Sequence, residues 1–399
     1  MFVNGSVLTS VQMFIRHGDR TPTSAIEADA NVTWDCDGLG SYIYTSVENR
    51  VGQENSIKLQ NAVARQTIVS PGKSPFSRYN WKGSCSPGQL TPLGAQQHRT
   101  LGSILREIYI NRWKFLPTEF DPSTLYVRST DFWRTQQSAE SLVTGLYLPQ
   151  VTEGRPPIFH MEVVPSSVDY MTVNRNLCPK ARDLESAIKG GANYQRVHSN
   201  SNTLTREVRD IMGRHSNLLD TVLPRLCHKM EPYCEEGKSG RCITPAMSDL
   251  VVTKSSLETS ILYRDAPQSR QYLRLGMGPL AKEIVDNFVT ASQRTTLSRR
   301  SSSNVPQFKL YSGHDGTIGP LLGLLESTDL RWPPYASNLI FELWTAPSGE
   351  RFVRIFQNGN IMQTTTKWCN LEWCPISQFV ANMEKYIPQD ILDECETEY

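Results

Sequence analysis

Three features of this sequence predict an α/β fold: a mainly parallel sheet flanked by helices, with a smaller, mainly helical cap domain. Residues 7–15 read as a strand with Val7, Thr9, Val11, Met13 and Ile15 on one face, and both faces are apolar by Met13, Phe14 and Ile15. A strand buried on both sides belongs inside a parallel sheet. A strand followed by a helix recurs after Pro122, the rhythm of a βαβ layer. Residues 172–304 then turn polar and helix-compatible, as an inserted cap would.

The elements follow in order. After the first strand, residues 23–88 are rich in Ser, Asn, Gly and isolated charges and read as an irregular or partly helical excursion. Thr91 is placed to cap a helix with Pro92 at its first position, and Leu93, Leu101, Ile104, Leu105 and Ile108 recur at helical spacing. Leu125, Tyr126 and Val127 form a short strand, and a helix from about Asp131 has Phe132, Ala139, Leu142 and Val143 on its apolar face. Strands resume at 308–311, 339–344 and 352–356, and a helix from about Pro375 closes the chain. The α/β core is thus expected to comprise 1–30, 90–171 and 305–399, with 31–89 and 172–304 as cap or insert regions.

Composition narrows the function. At roughly 150 residues per domain, 399 residues suggest two or three domain-sized units. With 39% apolar and 20% charged residues the chain is neither disordered nor collagen-like. The balance of 41 basic and 40 acidic side chains leaves a net charge of +1, which gives no global attraction to nucleic acid or an anionic membrane. Affinity for anions must be local. No apolar run approaches the ~18 residues of a membrane span. Nine cysteines without CxxC spacing leave the redox state open. Asn4-Gly-Ser6 and Asn31-Val-Thr33 are glycosylation sequons, while residues 1–10 lack the pattern of a signal peptide.

The chemistry concentrates at strand ends. The first strand runs into Arg16-His17-Gly18-Asp19-Arg20-Thr21-Pro22, and ligands of open α/β sheets bind beyond the carboxyl ends of the strands. Two arginines around a histidine are costly to crowd without an anion, and their planar donor forks suit phosphoryl oxygens. His17 is then placed to attack phosphorus. Arg128 follows the strand at 125–127, where a strand hands over to a helix N-terminus, itself an anion site. Residues 310–313 deliver His314 and Asp315. A histidine can donate to a phosphoryl oxygen and a carboxylic acid can protonate a departing alkoxide. Singly, each is an ordinary strand-end residue; together they supply every role of a phosphohistidine mechanism.

Arg16-His17-Gly18-Asp19-Arg20-Thr21-Pro22 with His314-Asp315 resembles the signature pair of the histidine acid phosphatases, a branch of the phosphoglycerate-mutase-like superfamily. Residues 88–94, Gln97-His98, Leu101-Gly102, Arg128-Ser129-Thr130-Asp131, Arg134-Thr135, residues 333–337 and 387–390 are similar to segments of prostatic and lysosomal acid phosphatases, in the same order. The resemblance implies a phosphomonoesterase of broad or unknown substrate. His17 would be the nucleophile, and Arg16, Arg20, Arg128 and His314 the phosphoryl ligands. Asp315 would be the acid for the leaving group and then the base for water. No metal or cofactor is implied, because three guanidiniums replace the usual cation. Phytase-type members tend to carry Ala at the position of Asp19, which favours the broad-specificity phosphatases.

The resemblance also implies Cys178–Cys395 and Cys369–Cys374 disulfides. The family's partner for Cys227 is Asn338 here, so Cys227 is expected to pair with Cys234 or Cys242; Cys36–Cys85 is a fourth pair and one cysteine is left over. An oxidising, secretory-pathway location follows, secreted or lysosomal, with the leader absent from this chain. Partners are a small phosphomonoester or phosphoprotein, with no nucleic acid; prostatic-type members dimerise, which makes a homodimer a further expectation.

Three other readings compete. Asp35-Cys36-Asp37-Gly38-Leu39 resembles the nucleophile motif of haloacid-dehalogenase phosphatases, but 31–34 is a poor apolar strand and a polar turn fits better. Cys227, His228, Cys234 and Cys242 fit no common zinc spacing. A binding protein that kept the fold and lost turnover has no reason to retain all six site residues. His98 reads as structural, or as a partner behind the site.

Overall fold

The structure is a computed structural model that describes residues 5–24, 32–37, 81–149, 153, 158–200, 202–212, 217–235, 240–293 and 306–396. The asparagines of both sequons, most of the expected insert 31–89 and the return stretch 294–305 lie outside the described residues.

The elements are β1 (Val7–Arg16), β2 (Thr33–Trp34), β3 (Lys82–Gly83), α1 (Pro92–Leu105), β4 (Leu125–Thr130), α2 (Trp133–Leu146), β5 (Met161–Val164), α3 (Pro179–Gly190), α4 (Ala192–Asn200), α5 (Asn202–Met212), α6 (Leu218–Cys227), α7 (Pro245–Ser260), α8 (Ser269–Ser292), β6 (Phe308–Gly313), α9 (Asp315–Leu324), β7 (Asn338–Thr345), β8 (Arg351–Gln357), β9 (Asn360–Ile361), β10 (Cys374–Pro375), α10 (Ile376–Glu384) and α11 (Ile391–Cys395). The main sheet has the order β10-β8-β7-β1-β6-β4-β5, with β9 on β8. Its centre is parallel: β1 beside β6, β6 beside β4 and β4 beside β5. The antiparallel strands β7, β8 and β10 extend it on the other side of β1.

β1 is buried beyond its first residue, as its two apolar faces require. Val11, Met13 and Ile15 pack toward α1 and α2 with Leu142 and Val143. Phe14 faces α8, α9 and α10, stacked on Tyr311 of β6 with ring centroids 4.5 Å apart. Complete burial of one such ring stabilises the fold by about 1.5–3 kcal/mol. Gln12, on the same side as Phe14, is satisfied by α8: its Nε2 donates to the carbonyl of Ile284 at 3.0 Å. The long helix α8 falls within the expected insert range yet packs on the sheet. Residues from α5, α6 and α7, including Val208, Ile211, Leu219, Val222 and Val251, form a separate apolar cluster.

Two helix readings shift. Thr91 caps α1 by accepting from the amide of Gly94, with Pro92 at the start, as expected. Of the predicted aliphatic stripe Leu105 is buried and Leu101 and Ile108 pack against the core, but Ile104 is exposed and the rest of the buried face is Gly94, Ala95, His98 and Gly102. Small residues are needed because α1 and α2 touch backbone to backbone: a Cβ at Gly102 would lie 2.1 Å from the carbonyl oxygen of Leu142, and one at Gly145 2.1 Å from that of Arg99. On α2, Ala139, Leu142 and Val143 are buried as expected, but Phe132 precedes the helix and is exposed.

Disulfides join Cys36–Cys85, Cys178–Cys395 and Cys369–Cys374 as expected. The remaining pair is Cys234–Cys242, leaving Cys227 as the free thiol. This corrects the expected pairing of Cys227 and removes two ligands from the zinc alternative. Among the described residues no helix is long and apolar enough to cross a membrane.

Candidate active site

Register brings the distant motifs together. In the parallel pair of β1 and β6, Arg16 lies opposite Gly313, so the next residues, His17 and His314, leave the sheet side by side. Their rings sit 5.5 Å apart. β4 lies on the other flank of β6, with Ser129 opposite Ser312. Thr130 at its end places Oγ1 2.9 Å from Nε2 of His314.

The loop after β1 is held from behind. A Cβ at Gly18 would meet the carbonyl oxygen of Gly94 at 2.4 Å, and one at Gly94 would meet that of Asp19 at 2.1 Å. Only glycine at both positions lets α1 approach so closely. The amide of Gly18 donates to Ser138 Oγ at 3.0 Å and that of Asp19 to Gln97 Oε1 at 2.9 Å. Asp19 is fully buried; its Oδ2 accepts from Thr91 Oγ1 and from Nε2 of His228, each at 2.5 Å. His228 lies just beyond α6 and packs edge-on against Trp34 at 4.9 Å. Burial, then Asp19, pushes the Cys227 thiol up to about 12, so it stays protonated.

His17 is buried and its Nδ1 lies 2.8 Å from the carbonyl oxygen of Gly18. A carbonyl only accepts, so Nδ1 carries the proton and Nε2 keeps its lone pair. Burial holds the imidazole well below its usual pKa, and the positive charges of Arg16, Arg20 and Arg134 and the neighbouring His314 add to this. His314 is pulled down to about 3, first by burial and then by Arg134. Asp315 opens α9, where a carboxylate suits the helix N-terminus. Its Oδ1 is 3.9 Å from Nε of Arg16 and the side chain is partly exposed.

Arg16 is buried, donates to the carbonyl of Pro333, and lies over the ring of Tyr335 at 4.4 Å. Arg20 pairs with the buried Asp220 and donates to the carbonyl of Thr21 at 2.9 Å. Arg128 points from β4 into a separate network, donating to Glu283 Oε2 and Asp169 Oδ1, both at 2.9 Å, with Tyr170 at 4.2 Å from its guanidinium. It shares a strand face with Thr130 but sits two residues deeper; its two terminal nitrogens go to these carboxylates, while its Nε is buried without a partner. Arg134 stands in the first turn of α2. Burial, Arg20 and Arg16 together bring it down to about 10, and it acts electrostatically on both His17 and His314. Its Nε, like those of Arg16 and Arg20, is buried without a hydrogen-bond partner. One signal in the sequence pointed to Arg134: a cation in a helix's first turn opposes the macrodipole unless an anion joins it.

The other candidates fall away from this cluster. Asp35 is exposed, with Oδ1 accepting from the amide of Asp37 and from Ser84 Oγ, the polar turn expected. His98 is buried behind Arg16, and burial lowers its pKa to about 4. The cluster is chemically specific: three guanidiniums with unsatisfied donors around a neutral imidazole, and a carboxyl group at the edge. Crowded buried cations are stabilised by an anion with several oxygens.

The family model of the histidine phosphatase superfamily (branch 2) matches residues 7–358. Counting factor 60 of Dictyostelium discoideum is 30% identical over 405 aligned residues, covering 98% of this chain and 89% of that protein. Lysophosphatidic acid phosphatase type 6 of Homo sapiens is 28% identical, covering 95% and 83%. Among solved structures, the apo form of Hafnia alvei phytase superposes with a TM-score of 0.61 over 100% of both chains at 14% identity, a likeness of fold.

Proposed function

The chain belongs to the histidine phosphatase superfamily, branch 2, and we propose that it hydrolyses phosphate monoesters through a phosphohistidine on His17, without a metal ion. One observation carries the proposal: a neutral, buried His17 with a free Nε2, ringed by Arg16, Arg20 and Arg134.

Nε2 attacks phosphorus as the ester P–O bond breaks, and the departing oxygen takes the proton of the Asp315 carboxyl group. Nδ1 keeps its proton on the Gly18 carbonyl, so the phosphorylated ring carries the positive charge. The three guanidiniums and His314 bind the equatorial oxygens, where charge spreads in the transition state. Water then attacks phosphorus and gives a proton to the Asp315 carboxylate, and the P–N bond breaks to return neutral His17. Arg134 replaces Arg128 in this assignment.

The α5–α7 cluster, together with 31–89, is read as a cap that shapes substrate choice. Four disulfides support an oxidising, secretory-pathway setting. The human relative is named for lysophosphatidic acid, which belongs in the first substrate panel. The deciding experiment is phosphate release from p-nitrophenyl phosphate between pH 4 and 7, followed by acid and alkaline quenching of the steady state. Turnover with an acid-labile, base-stable phosphoenzyme is expected. An alkali-labile acyl phosphate would overturn the assignment.

A further inference from the structure

In an in-line displacement the leaving group lies across phosphorus from His17, on the Asp315 side, and departs past the residues at the mouth of the site. Asp131, Phe132 and Trp133 are exposed there, with 41% of the surface of Phe132 and 62% of that of Trp133 accessible. Phe132 is part of the site's wall. Its ring meets His314 edge-on at 5.0 Å, and the guanidinium of Arg134 lies 4.5 Å from its centroid.

A second observation is local. Phe132 is the N-cap residue of α2 and makes no side-chain capping bond. Ser, Thr, Asp or Asn at that position stabilises a helix by about 1 kcal/mol over an apolar residue. Helix stability is therefore forgone here, and burial compensates only in part, because 41% of the surface of Phe132 stays accessible. Departures from local preference of this kind concentrate at functional positions.

We propose that Phe132 and Trp133 form an aromatic shelf for the leaving group, so that the preferred substrates are phosphate monoesters of uncharged, apolar alcohols. The proposal rests on the phosphomonoesterase reading and names its substrate class. Charge points the same way. The three arginines surround the reacting phosphoryl group, while the exposed carboxylate next to the shelf is Asp131, which disfavours a leaving group carrying further phosphates.

The test is kcat/KM for n-alkyl phosphates from methyl to octyl and for inositol hexakisphosphate, with wild type and the Phe132→Ser/Trp133→Ala double variant. Serine restores a capping side chain, so the variant should fold; a thermal melt checks this. For wild type, kcat/KM should rise by up to about fourfold per added methylene, and inositol hexakisphosphate should be a poor substrate. The double variant should lose most of the chain-length dependence. A flat series in wild type, an unchanged slope in the variant, or inositol hexakisphosphate turned over as well as octyl phosphate would each overturn the shelf and leave the phosphatase reading standing. No turnover of any ester would remove both.

Discussion

Nδ1 of His17 and the carbonyl oxygen of Gly18, its neighbour in the chain, are 2.8 Å apart. That contact decides which ring nitrogen does the chemistry. With Nδ1 protonated and tied to a backbone acceptor, Nε2 alone can form the P–N bond. Phosphorus NMR or fragmentation mass spectrometry of the quenched enzyme should place the phosphoryl group on Nε2 of His17. Phosphate on Nδ1, or near-normal turnover by His17→Ala, would remove the assignment.

Arg134 and Arg128 should separate cleanly by mutation. Arg134→Ala should lower kcat/KM by about 10²–10³, the scale for losing one donor to a developing oxyanion, and weaken vanadate inhibition, with the melting temperature little changed. Arg128→Ala leaves the buried Asp169 without its cation, and breaking such a pair costs about 3–5 kcal/mol. Its signature is a large fall in denaturant midpoint. Equal catalytic and stability losses in both variants would contradict the geometry.

Stability should fall on the acid side of pH 6.5. His17, His98 and His314 are held below their ordinary pKa in the folded chain, His98 at about 4 and His314 at about 3. Below pH 6.5 the unfolded chain binds protons that the folded chain refuses. Each of these histidines then subtracts up to about 1.4 kcal/mol per pH unit until its folded pKa is reached. His98→Gln removes one of the three, so denaturant unfolding from pH 6.5 to 4.5 should show a shallower decline for the variant. Parallel curves would count against a neutral His98.

Asp315→Asn tests the acid role by leaving-group chemistry. Alkyl phosphates, whose alkoxides need a proton, should lose far more activity than p-nitrophenyl phosphate, whose leaving group hardly needs one. Equal losses on both would point to a merely electrostatic Asp315.

Much of this was legible in the sequence, and the exceptions are instructive. β1 announced itself because a strand buried on both faces has no polar alternation to hide it. Its exit loop and His314-Asp315 were readable because their residue types are costly together without a ligand. The bonds of Arg128 to Glu283 and Asp169 were not legible, because text alone does not say which of Arg128 and Arg134 turns away from the histidines. Asp169 and Glu283, which hold Arg128, come from distant segments. Part of the buried face of α1 was missed because Gly94 and Gly102 act there through what they lack. Phe132 was assigned to a core face by its hydrophobicity, when its position outside the first turn leaves it in solvent. The partner of Cys234 depended on the chain path between 227 and 242, which brings Cys242 opposite Cys234.

The bond from His228 to Asp19 bears on how such an enzyme could be rebuilt. If His17 acts as proposed, a designer exchanging the α5–α7 region to admit other substrates would also remove a strut beneath its loop, since the imidazole of His228 reaches Asp19, two places past His17. Grafts that carry a donor at the place of His228 should keep turnover, and those that omit it should bind esters yet process them sluggishly. On the proposed reading, the region that chooses the ester also props the loop that carries His17.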